Sequence, residues 1–397
     1  MCEYNPTCTR WVRTRANNVY GYIGSLRAQC LLLFPMKRYW LLGLALIPAA
    51  YVARKFRNDP QFGADAGAMK GIRQRGSVAW RMGSFRNLDK TPLQEDLGSL
   101  FGDLVGYMKA KNTMPAAPLP VHLSDTIDVP PSGDHLTWYG HSALRLETDG
   151  RTILIDPMLG EWVAPVPFLG HRFPYKDYNP LAAFGTIDLI VYSHDHYDHL
   201  DYDTLMKLRD RTKHYLCPLG LGAHLRAWGI PAERITELDW WENAALAGCT
   251  FTATPARHFS GRSTGTRNQS LWAGFAIRTA HHNLFFGGDS GYGRHFPQIG
   301  ERLGPFDLTM LDAGQYHNRW KNVHMQPEEA LRANEDLGGR ALLPVHWGSF
   351  ALSDHAWSDP IERITAADDA GVVVSPLVGQ RFAVEELETV RERWWRD

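Results

Sequence analysis

Apolar and polar positions along the second half of the chain follow the short period of β-strands. Residues 136–139 and 142–148, the turn Asp149-Gly150 and residues 152–155 predict two strands leading into a hairpin. Residues 187–192 form a nearly continuous apolar run, which predicts a buried strand. Further apolar runs of strand length lie at residues 250–253, 271–277, 283–286, 308–311, 342–345 and 372–374.

Helical periodicity, with apolar residues three and four positions apart, separates several of these strands. The predicted helices lie at residues 203–210, 219–228, 327–337 and 360–369, with an earlier one at 93–108. Strands that alternate with helices predict a layered α/β domain. Five prolines between residues 111 and 134 exclude regular helix there and mark a connector. We therefore divide the chain into an N-terminal extension (1–55), a helical and proline-rich lead-in (56–134) and a main domain (135–397).

The N-terminal extension contains an apolar segment at residues 39–52, flanked by Lys37-Arg38 and Arg54-Lys55. Its fourteen residues are short for a bilayer span and match the core of a signal peptide or signal anchor. If translation began at Met36, the chain would open with the layout of a bacterial export or anchor signal. We expect an uncleaved anchor and a protein associated with the bacterial cell envelope, on a side of the membrane that the charges leave open. A released protein and a buried helix are the alternatives.

Composition limits the classes of function. The 397 residues, 44% of them hydrophobic, can bury a large core. The net charge of −1 provides no field for nucleic acid, so no nucleic-acid partner is expected. Five cysteines without a Cys-x-x-Cys pair form neither a disulfide framework nor a zinc ribbon. Function must therefore come from a local site.

The segment Ser193–Leu200, SHDHYDHL, places three imidazoles and two carboxylates within six residues directly after the predicted strand 187–192. Imidazole nitrogen and carboxylate oxygen are ligands of zinc and similar divalent ions. In extended backbone, His194 and His196 leave the chain on one side and can share one metal. Asp198 and His199, beyond a bend, can reach a second. The alternative interpretation is a run of solvated polar residues at a strand end.

Three other predicted strands also end near a potential ligand: His258, Asp289 and His346. Ends of strands are where a rigid scaffold presents chemistry. Asp289 is the candidate bridge, because the two oxygens of a carboxylate can ligate two cations about 3.5 to 4 Å apart. The small residues Gly287 and Gly288 beside it allow backbone to approach the metals.

These segments together resemble the metallo-β-lactamase superfamily, in particular the branch of N-acyl-phosphatidylethanolamine phospholipase D and its bacterial RomA-like relatives. The resemblance covers about residues 130–380. It rests on the following segments: WYGHSALRLETDGRTILIDP (138–157), SHDHYDHLD (193–201), PARHF (255–259), FFGGDSGY (285–292), VHMQPEEA (323–330) and HWGSFAL (346–352). It implies an αββα sandwich, with two mixed β-sheets flanked by helices and two zinc ions at one edge.

The resemblance also implies ligands and substrate contacts. The implied ligands are His194, His196 and His258 for one zinc, Asp198, His199 and His346 for the other, and Asp289 between them. Tyr197 and His324 match positions near the phosphate of a lipid substrate. The lysine of the family falls on Gly261, and Arg262 is the candidate for the missing charge. Asp156 matches a supporting aspartate rather than a ligand.

The sequence thus predicts a dinuclear-zinc phosphodiesterase that acts on a phospholipid through a hydroxide held between the metals, with Asp198, Asp289 and His324 as catalytic residues. Manganese or iron in place of zinc, and a homodimer, are left open. A lactonase or a cyclic-diester hydrolase of the same fold is the first alternative. A membrane-anchored structural or regulatory protein without catalysis is the second.

Overall fold

The computed structural model describes most of the chain after residue 75. The described residues are 54, 59–65, 67–69, 76–92, 106, 109–123, 129–165, 170–263 and 265–396. The chain divides into two compact units, Met1–Asp59 and Pro60–Asp397. The apolar segment 39–52, and the predicted helix 93–108 apart from residue 106, lie outside the described residues. Within the described part of the chain, no helix has the length and apolar character needed to cross a membrane.

The strands of the second unit are as follows: β1 (Trp80–Arg81), β2 (Ser84–Phe85), β3 (Asp134–Trp138), β4 (Leu144–Thr148), β5 (Arg151–Ile155), β6 (Ile187–Val191), β7 (Thr212–Pro218), β8 (Ile235–Leu238), β9 (Asn243–Leu246), β10 (Cys249–Thr254), β11 (Gly274–Arg278), β12 (Asn283–Phe286), β13 (Leu308–Asp312), β14 (Leu342–Val345) and β15 (Arg381–Ala383). The α-helices are α1 (Tyr202–Leu208), α2 (Gly222–Ala227), α3 (His295–Leu303), α4 (Pro327–Leu337) and α5 (Asp359–Ala367). Short 3-10 helices lie at Pro60–Phe62, Pro180–Ala183, Arg209–Arg211, Ala232–Arg234, Val384–Thr389 and Trp394–Arg396.

Two mixed sheets form the centre of this unit. The first has the order β15-β3-β4-β5-β6-β7-β8, and the second has the order β14-β13-β12-β11-β10-β9. In the first sheet β5 to β8 run parallel, and in the second β12 to β14 do, while the other pairs are antiparallel. The predicted hairpin joins β4 to β5, and φ is +45° at Asp149 and +76° at Gly150, as a tight two-residue turn requires.

Successive side chains along a strand point to opposite faces of the sheet, so each sheet contributes to two buried layers. Leu146 and Ile153 of the first sheet belong to one buried cluster together with Phe251 and Phe275 of the second. Leu154, which points to the other face of β5, belongs to a separate buried cluster. That second cluster also contains strand and helix residues Ile190, Tyr215, Leu205, Leu208 and Leu225.

Helices cover the outer face of the second sheet as well. The buried side of α4 consists of Ala330, Ala333 and Leu337, and α4 packs against β13 and β14. The predicted sandwich of two mixed sheets between helices is therefore confirmed. The predicted strand at 372–374 is wrong, because only Val373 forms a single bridge, to Leu342, before Ser375 turns away to bond with Val390.

Strand direction brings one end of many strands to a common edge. In the first sheet β3, β5 and β6 run the same way, and in the second sheet β10, β12, β13 and β14 do. The two sheets come very close there at Gly288 (φ +59°), where an added Cβ would lie 2.9 Å from the Cβ of Ser193 and 3.1 Å from the carbonyl of Ala273. Glycine is required at this position, both for its φ and for the space.

Candidate metal centre

The histidine-rich motif begins in extended backbone and then turns. Ser193 donates its N–H to Oδ1 of Asp156 (2.7 Å), which fixes the chain at the end of β6. The amides of His199 and Leu200 then bond back to the carbonyl of His196 (3.2 and 2.9 Å), forming a turn that leads into α1. This change of conformation sends the first two histidines and the later Asp-His pair to different places.

His194, His196, His258 and Asp289 form the first group of ligand atoms, which we call the imidazole cluster. Nδ1 of His196 lies 3.0 Å from Nε2 of His194 and 3.1 Å from Nε2 of His258. Oδ2 of Asp289 lies 3.7 Å from the Nε2 atoms of both His194 and His258. These are the residues predicted for the first metal.

Outer hydrogen bonds set the tautomers of this cluster. Nδ1–H of His258 donates to the carbonyl of Val323 (3.0 Å). The hydroxyl of Ser193 donates to Asp156, so its oxygen is left to accept from Nδ1–H of His194 (2.9 Å). The Nε2 atoms of both histidines therefore carry lone pairs directed into the cluster, as metal ligation requires.

His141, Asp198, His199 and His346 form the second group, which we call the mixed cluster. Oδ2 of Asp198 lies 2.9 Å from Nε2 of His141, 3.2 Å from Nε2 of His346 and 3.6 Å from Nε2 of His199. Oδ2 of Asp289 lies 3.1 Å from Nε2 of His199 and 3.2 Å from Nε2 of His346. One oxygen of Asp289 therefore lies near both clusters, which is the position predicted for a bridge.

The atoms that face the centre fit a pair of divalent cations. Among the described residues, Oδ1 of Asp289 is buried and has no hydrogen-bond partner. Buried polar atoms are rarely left in this state. Imidazole nitrogens and carboxylate oxygens without thiolate suit zinc, manganese and iron. The centre therefore offers two groups of donors that could hold divalent metal ions.

The histidines of the imidazole cluster are held neutral. Burial lowers the pKa of His194 and of His258 well below the usual value, and neighbouring histidines lower both further. Burial also lowers the pKa of His196, although nearby carboxylates oppose it. Each of these rings therefore presents a lone pair at neutral pH.

Charge pairing dominates the mixed cluster. Burial opposes protonation of His199, but the carboxylates of Asp289 and Asp198 outweigh it and raise the pKa of His199 to about 10. The pKa of His346 is raised well above its usual value in the same way, by Asp289 and Asp312 against burial. The histidines in turn lower the pKa of Asp198 and of Asp289, although burial opposes this. Without metal, protonated histidines and carboxylates neutralise one another here.

Two aspartates behind the ligands orient them. Asp156 accepts from Nδ1–H of His199 (2.7 Å) in addition to its bonds with Ser193, so it fixes both arms of the motif. Asp312, the last residue of β13, lies 2.8 Å from Nδ1 of His324 and 3.3 Å from Nδ1 of His346. Asp156 has the supporting position that the sequence predicted, whereas Asp312 was given no role.

The predicted substrate residues differ in how accessible they are. The ring of His324 stacks on that of His346, with centroids 5.0 Å apart, and is half-buried beside the ligands. Tyr197 donates its hydroxyl to the carbonyl of Arg262 (2.6 Å). The Arg262 guanidinium is buried, lies 4.0 Å from the centroid of the Tyr197 ring and donates to the carbonyls of Asp195 and Leu200 (both 2.9 Å). Arg262 would have to exchange these bonds to contact a phosphate.

The structure explains why Gly261 replaces the lysine of the family. Its φ is +137°, and an added Cβ would lie 2.9 Å from the Cα of Arg267. Its N–H donates to Oδ1 of Asp195 (2.7 Å), which locks the backbone in this conformation. A lysine at this position would require the backbone of the 261–267 loop to move.

His141 joins the mixed cluster although the sequence gave it no role. It follows β3 in a left-handed conformation (φ +52°), and its amide bonds to the carbonyl of Trp347 (2.8 Å). Burial lowers its pKa to about 3. The available signal was its place at the end of a strand, which is also where Asp312 lies.

Comparison with known proteins agrees with this geometry. Residues 151–347 match a family described as a β-lactamase superfamily domain. The chain is 40% identical over 364 residues to an uncharacterized protein of Mycobacterium tuberculosis, covering 89% of this chain and 96% of the relative. It is 32% identical over 270 residues to N-acyl-phosphatidylethanolamine-hydrolyzing phospholipase D 1 of Caenorhabditis elegans, covering 64% and 75%.

A third relative and a solved structure extend the comparison. The chain is 44% identical over 125 residues to the outer membrane protein RomA of Klebsiella pneumoniae, covering 31% of this chain and 94% of that protein. The structure of Igni18, a metallo hydrolase from Ignicoccus hospitalis, aligns with a TM-score of 0.50 at 23% identity, covering 63% and 97%. That similarity concerns the fold.

Proposed function

Because the chain belongs to the metallo-β-lactamase superfamily and is a metal-dependent hydrolase, we propose that it cleaves a phosphodiester of a phospholipid, in the manner of an N-acyl-phosphatidylethanolamine phospholipase D, with two zinc ions. The observation that carries the proposal is Oδ2 of Asp289, which lies within 3.1 to 3.7 Å of imidazole nitrogens from both clusters. Support for the substrate class comes from the 32% identical relative, which is named for that activity.

Some residues of the site would bind metal, and others would bind the substrate. Two bound cations would lower the pKa of a water toward about 7 and offset charge on the phosphoryl oxygens. Asp289 lies near the histidines of both clusters and Asp198 near those of the mixed cluster, so both carboxylates would hold metal. Asp312 orients the ring of His324 through Nδ1, so the Nε2 edge of that ring would face the non-bridging oxygens of the diester. Tyr197 would exchange its bond with the carbonyl of Arg262 for one to the phosphate.

The proposed location is a membrane of the bacterial cell envelope. The relative RomA is named as an outer membrane protein. The segment 39–52 with its basic flanks is an expected anchor. An enzyme anchored there would be held at the membrane that contains its lipid substrate.

The test compares the metal-loaded protein with its Asp289→Asn variant on a panel of phospholipids, lactones and cyclic nucleotides. We expect about two zinc ions per chain and release of the headgroup from N-acylated phosphatidylethanolamine. Asp289→Asn should abolish both metal binding and turnover. Asp210→Asn, at a side chain that is 93% exposed, is the matched control and should change neither.

Three outcomes would contradict the proposal. Full zinc content and full turnover in Asp289→Asn would exclude the bridging role. Hydrolysis confined to lactones or cyclic diesters would agree with the proposed metal centre but exclude a phospholipid as the substrate. A zinc-loaded protein that hydrolyses none of these compounds would favour a role without catalysis.

A further inference from the structure

The hairpin formed by β1 and β2 exposes an apolar tip. Trp80 pairs with Phe85 and Arg81 with Ser84, so the turn consists of two residues, Met82 and Gly83. The Met82 side chain is 95% exposed and that of Val78, just before the hairpin, is 68% exposed. Among the described residues, these are the two most exposed of the large hydrophobic side chains.

The exposed tip belongs to a hairpin that is packed and hydrogen-bonded to the rest of the domain. Phe85 is fully buried and its ring lies edge-to-face with that of Trp80, with centroids 4.9 Å apart. The amide of Phe85 bonds to the carbonyl of Asn268 (2.9 Å), and the side chain of Gln269 donates to the carbonyl of Gly83 (3.1 Å). The tip is therefore held in place by the packing of Phe85 and by the adjacent segment that contains Asn268 and Gln269.

Met82 occupies a position that normally selects another residue. Its φ is +54° and that of Gly83 is +84°, which is the two-residue turn that prefers Asn, Asp or Gly first. A methionine there is unfavourable for backbone conformation and for hydration alike. Such a double conflict, on an otherwise well-packed hairpin, indicates a residue kept for contact with an apolar environment.

The surroundings of the tip are basic. Arg81, Arg86, Lys90 and Arg267 are all exposed. The neighbouring Asp89 is paired with Arg294 (2.8 Å).

A second acidic group of the described residues, at the base of the hairpin, is also engaged. Asp239, at the base of the hairpin, accepts from the hydroxyl of Ser77 and the amide of Trp240 (3.0 and 2.8 Å). A groove of about 450 Å³, whose lining includes Arg81, Arg86, Lys90 and Asn268, opens beside the hairpin. The local charge is thus strongly positive in a chain whose net charge is −1.

The hairpin is also connected to the metal centre. Asn268, which bonds to Phe85, also bonds through its amide to the carbonyl of Ser260 (2.9 Å), two residues beyond the ligand His258. Asn87, which follows the hairpin, donates to the carbonyl of His258 (2.8 Å) and accepts from its amide (3.1 Å). The tip and the first metal ligands therefore belong to one continuous piece of structure.

We propose that the hairpin 78–86 is a membrane-docking element, in which Met82 and Val78 enter the headgroup–acyl boundary of an anionic bilayer while Arg81, Arg86, Lys90 and Arg267 contact lipid phosphates. An exposed apolar tip with a basic rim is complementary to that surface in both polarity and charge. The inference rests on the proposed function only in that an enzyme acting on lipids needs such a contact. It is independent of the segment 39–52.

The first experiment uses the native full-length chain. Methionine oxidation by hydrogen peroxide is followed by peptide mass spectrometry, with and without vesicles of phosphatidylcholine containing phosphatidylglycerol. We expect Met82 to oxidise severalfold more slowly on anionic vesicles, whereas Met114, which is 48% exposed, keeps its rate. Equal rates for Met82 with and without saturating vesicles would overturn the proposal, as would equal protection of both methionines.

The second experiment measures vesicle sedimentation of variants. Met82→Asp should weaken partition into anionic vesicles at least about tenfold, and Arg81→Gln and Arg86→Gln about fivefold each. Met114→Asp is the matched control and should bind as the parent does. Unchanged binding of all three hairpin variants would contradict the proposal, and so would equal binding to purely zwitterionic vesicles.

These readouts are separate from turnover. A parent protein that cleaves soluble bis-p-nitrophenyl phosphate but leaves Met82 unprotected would refute docking and leave the proposed function intact. A protein whose Met82 is protected on vesicles but that cleaves no diester would refute the function and leave docking intact.

Discussion

The two ligand clusters lie side by side and share Asp289, yet their electrostatics are opposite. In the imidazole cluster all three histidines have lowered pKa values and stay neutral. In the mixed cluster His199 and His346 have raised pKa values and are charged when no metal is present. The imidazole cluster thus brings neutral rings together beside one carboxylate, whereas His199 and His346 of the mixed cluster form ion pairs with carboxylates and His141 stays neutral.

This difference has a consequence for metal loading. A cation entering the imidazole cluster displaces no proton, whereas one entering the mixed cluster must displace protons from His199 and His346. The imidazole cluster is therefore expected to fill first and to hold its metal more firmly at low pH. Substitution of residues in each cluster tests this order of metal binding.

The largest effect is expected from losing a ligand on either side. His258→Ala and His346→Ala should each lower turnover roughly 10³-fold, because one cation no longer stabilises the transition state. Metal analysis should find that each variant loses one equivalent at pH 8. At pH 6 His346→Ala should keep its remaining metal better than His258→Ala does.

His214→Ala is the control for these two variants, since His214 bonds only to Thr236 (2.9 Å) among the described contacts of its ring. Equal metal content in both ligand variants at every pH would show that the clusters do not differ as their charges indicate.

Removing the residue that both clusters share behind the ligands should have the next largest effect. Asp156→Asn weakens the acceptor for Ser193 and for His199 together, so affinity for both metals should fall about 10- to 100-fold. Chelator competition measures the loss. Asp188→Asn, on the neighbouring strand β6, is the control, and a loss confined to one metal would contradict the shared role.

The pH dependence of metal binding separates the clusters without mutation. Below its pKa of about 10, His199 is protonated in the metal-free protein, so binding to the mixed cluster should strengthen as pH rises. The expected slope is about tenfold per pH unit for each proton displaced. Binding to the imidazole cluster should be nearly flat between pH 6 and 8.

Titration of metal-free protein with zinc at pH 6, 7 and 8, by calorimetry in buffers of different ionisation enthalpy, measures both slopes and the protons released. Two equivalents with the same pH dependence would remove the distinction between the clusters.

The smallest effect is expected from a residue that touches the imidazole cluster alone. Asn87→Ala removes two hydrogen bonds to the backbone of His258, and affinity for the first metal should fall about fivefold. The second metal should bind as before. Asn322→Ala, at an exposed site bonded to Pro92, is the control, and loss of both metals would show that Asn87 supports more than one cluster.

Much of the fold can be predicted from the local sequence, because buried strands show either alternating apolar and polar residues or a continuous apolar run. The predicted run 283–286 matches Asn283–Phe286, and the predicted helix 327–337 matches Pro327–Leu337. The edge strands β8 and β9 were missed because their side chains are half-exposed and carry no apolar run. Helix α3 was missed because Pro297 and Gly300 interrupt its pattern, although a proline in the first turn is tolerated.

The contacts of the candidate site could be predicted from the local sequence only in part. Polar residues at strand ends located the seven ligand candidates, since neighbouring strands place their ends at one edge. Whether the Arg262 guanidinium faces substrate or protein depends instead on the carbonyls of Gln61 and Leu200, far away in the chain. His141 is 57 positions from Asp198, and nothing in its neighbourhood reveals that contact.

The two sheets approach each other closely at Gly288, and the candidate ligands come from both of them. Residues 194–199 follow a strand of the first sheet, whereas His258, Asp289 and His346 follow strands of the second, so two bound ions would link the two halves of the domain. A cation that binds only the folded chain stabilises it by about 4 kcal/mol when its concentration is 1,000 times the dissociation constant. If the chain binds its metals as proposed, its lifetime in a cell would be coupled to metal supply: a chain made under metal starvation would open more often and be degraded sooner.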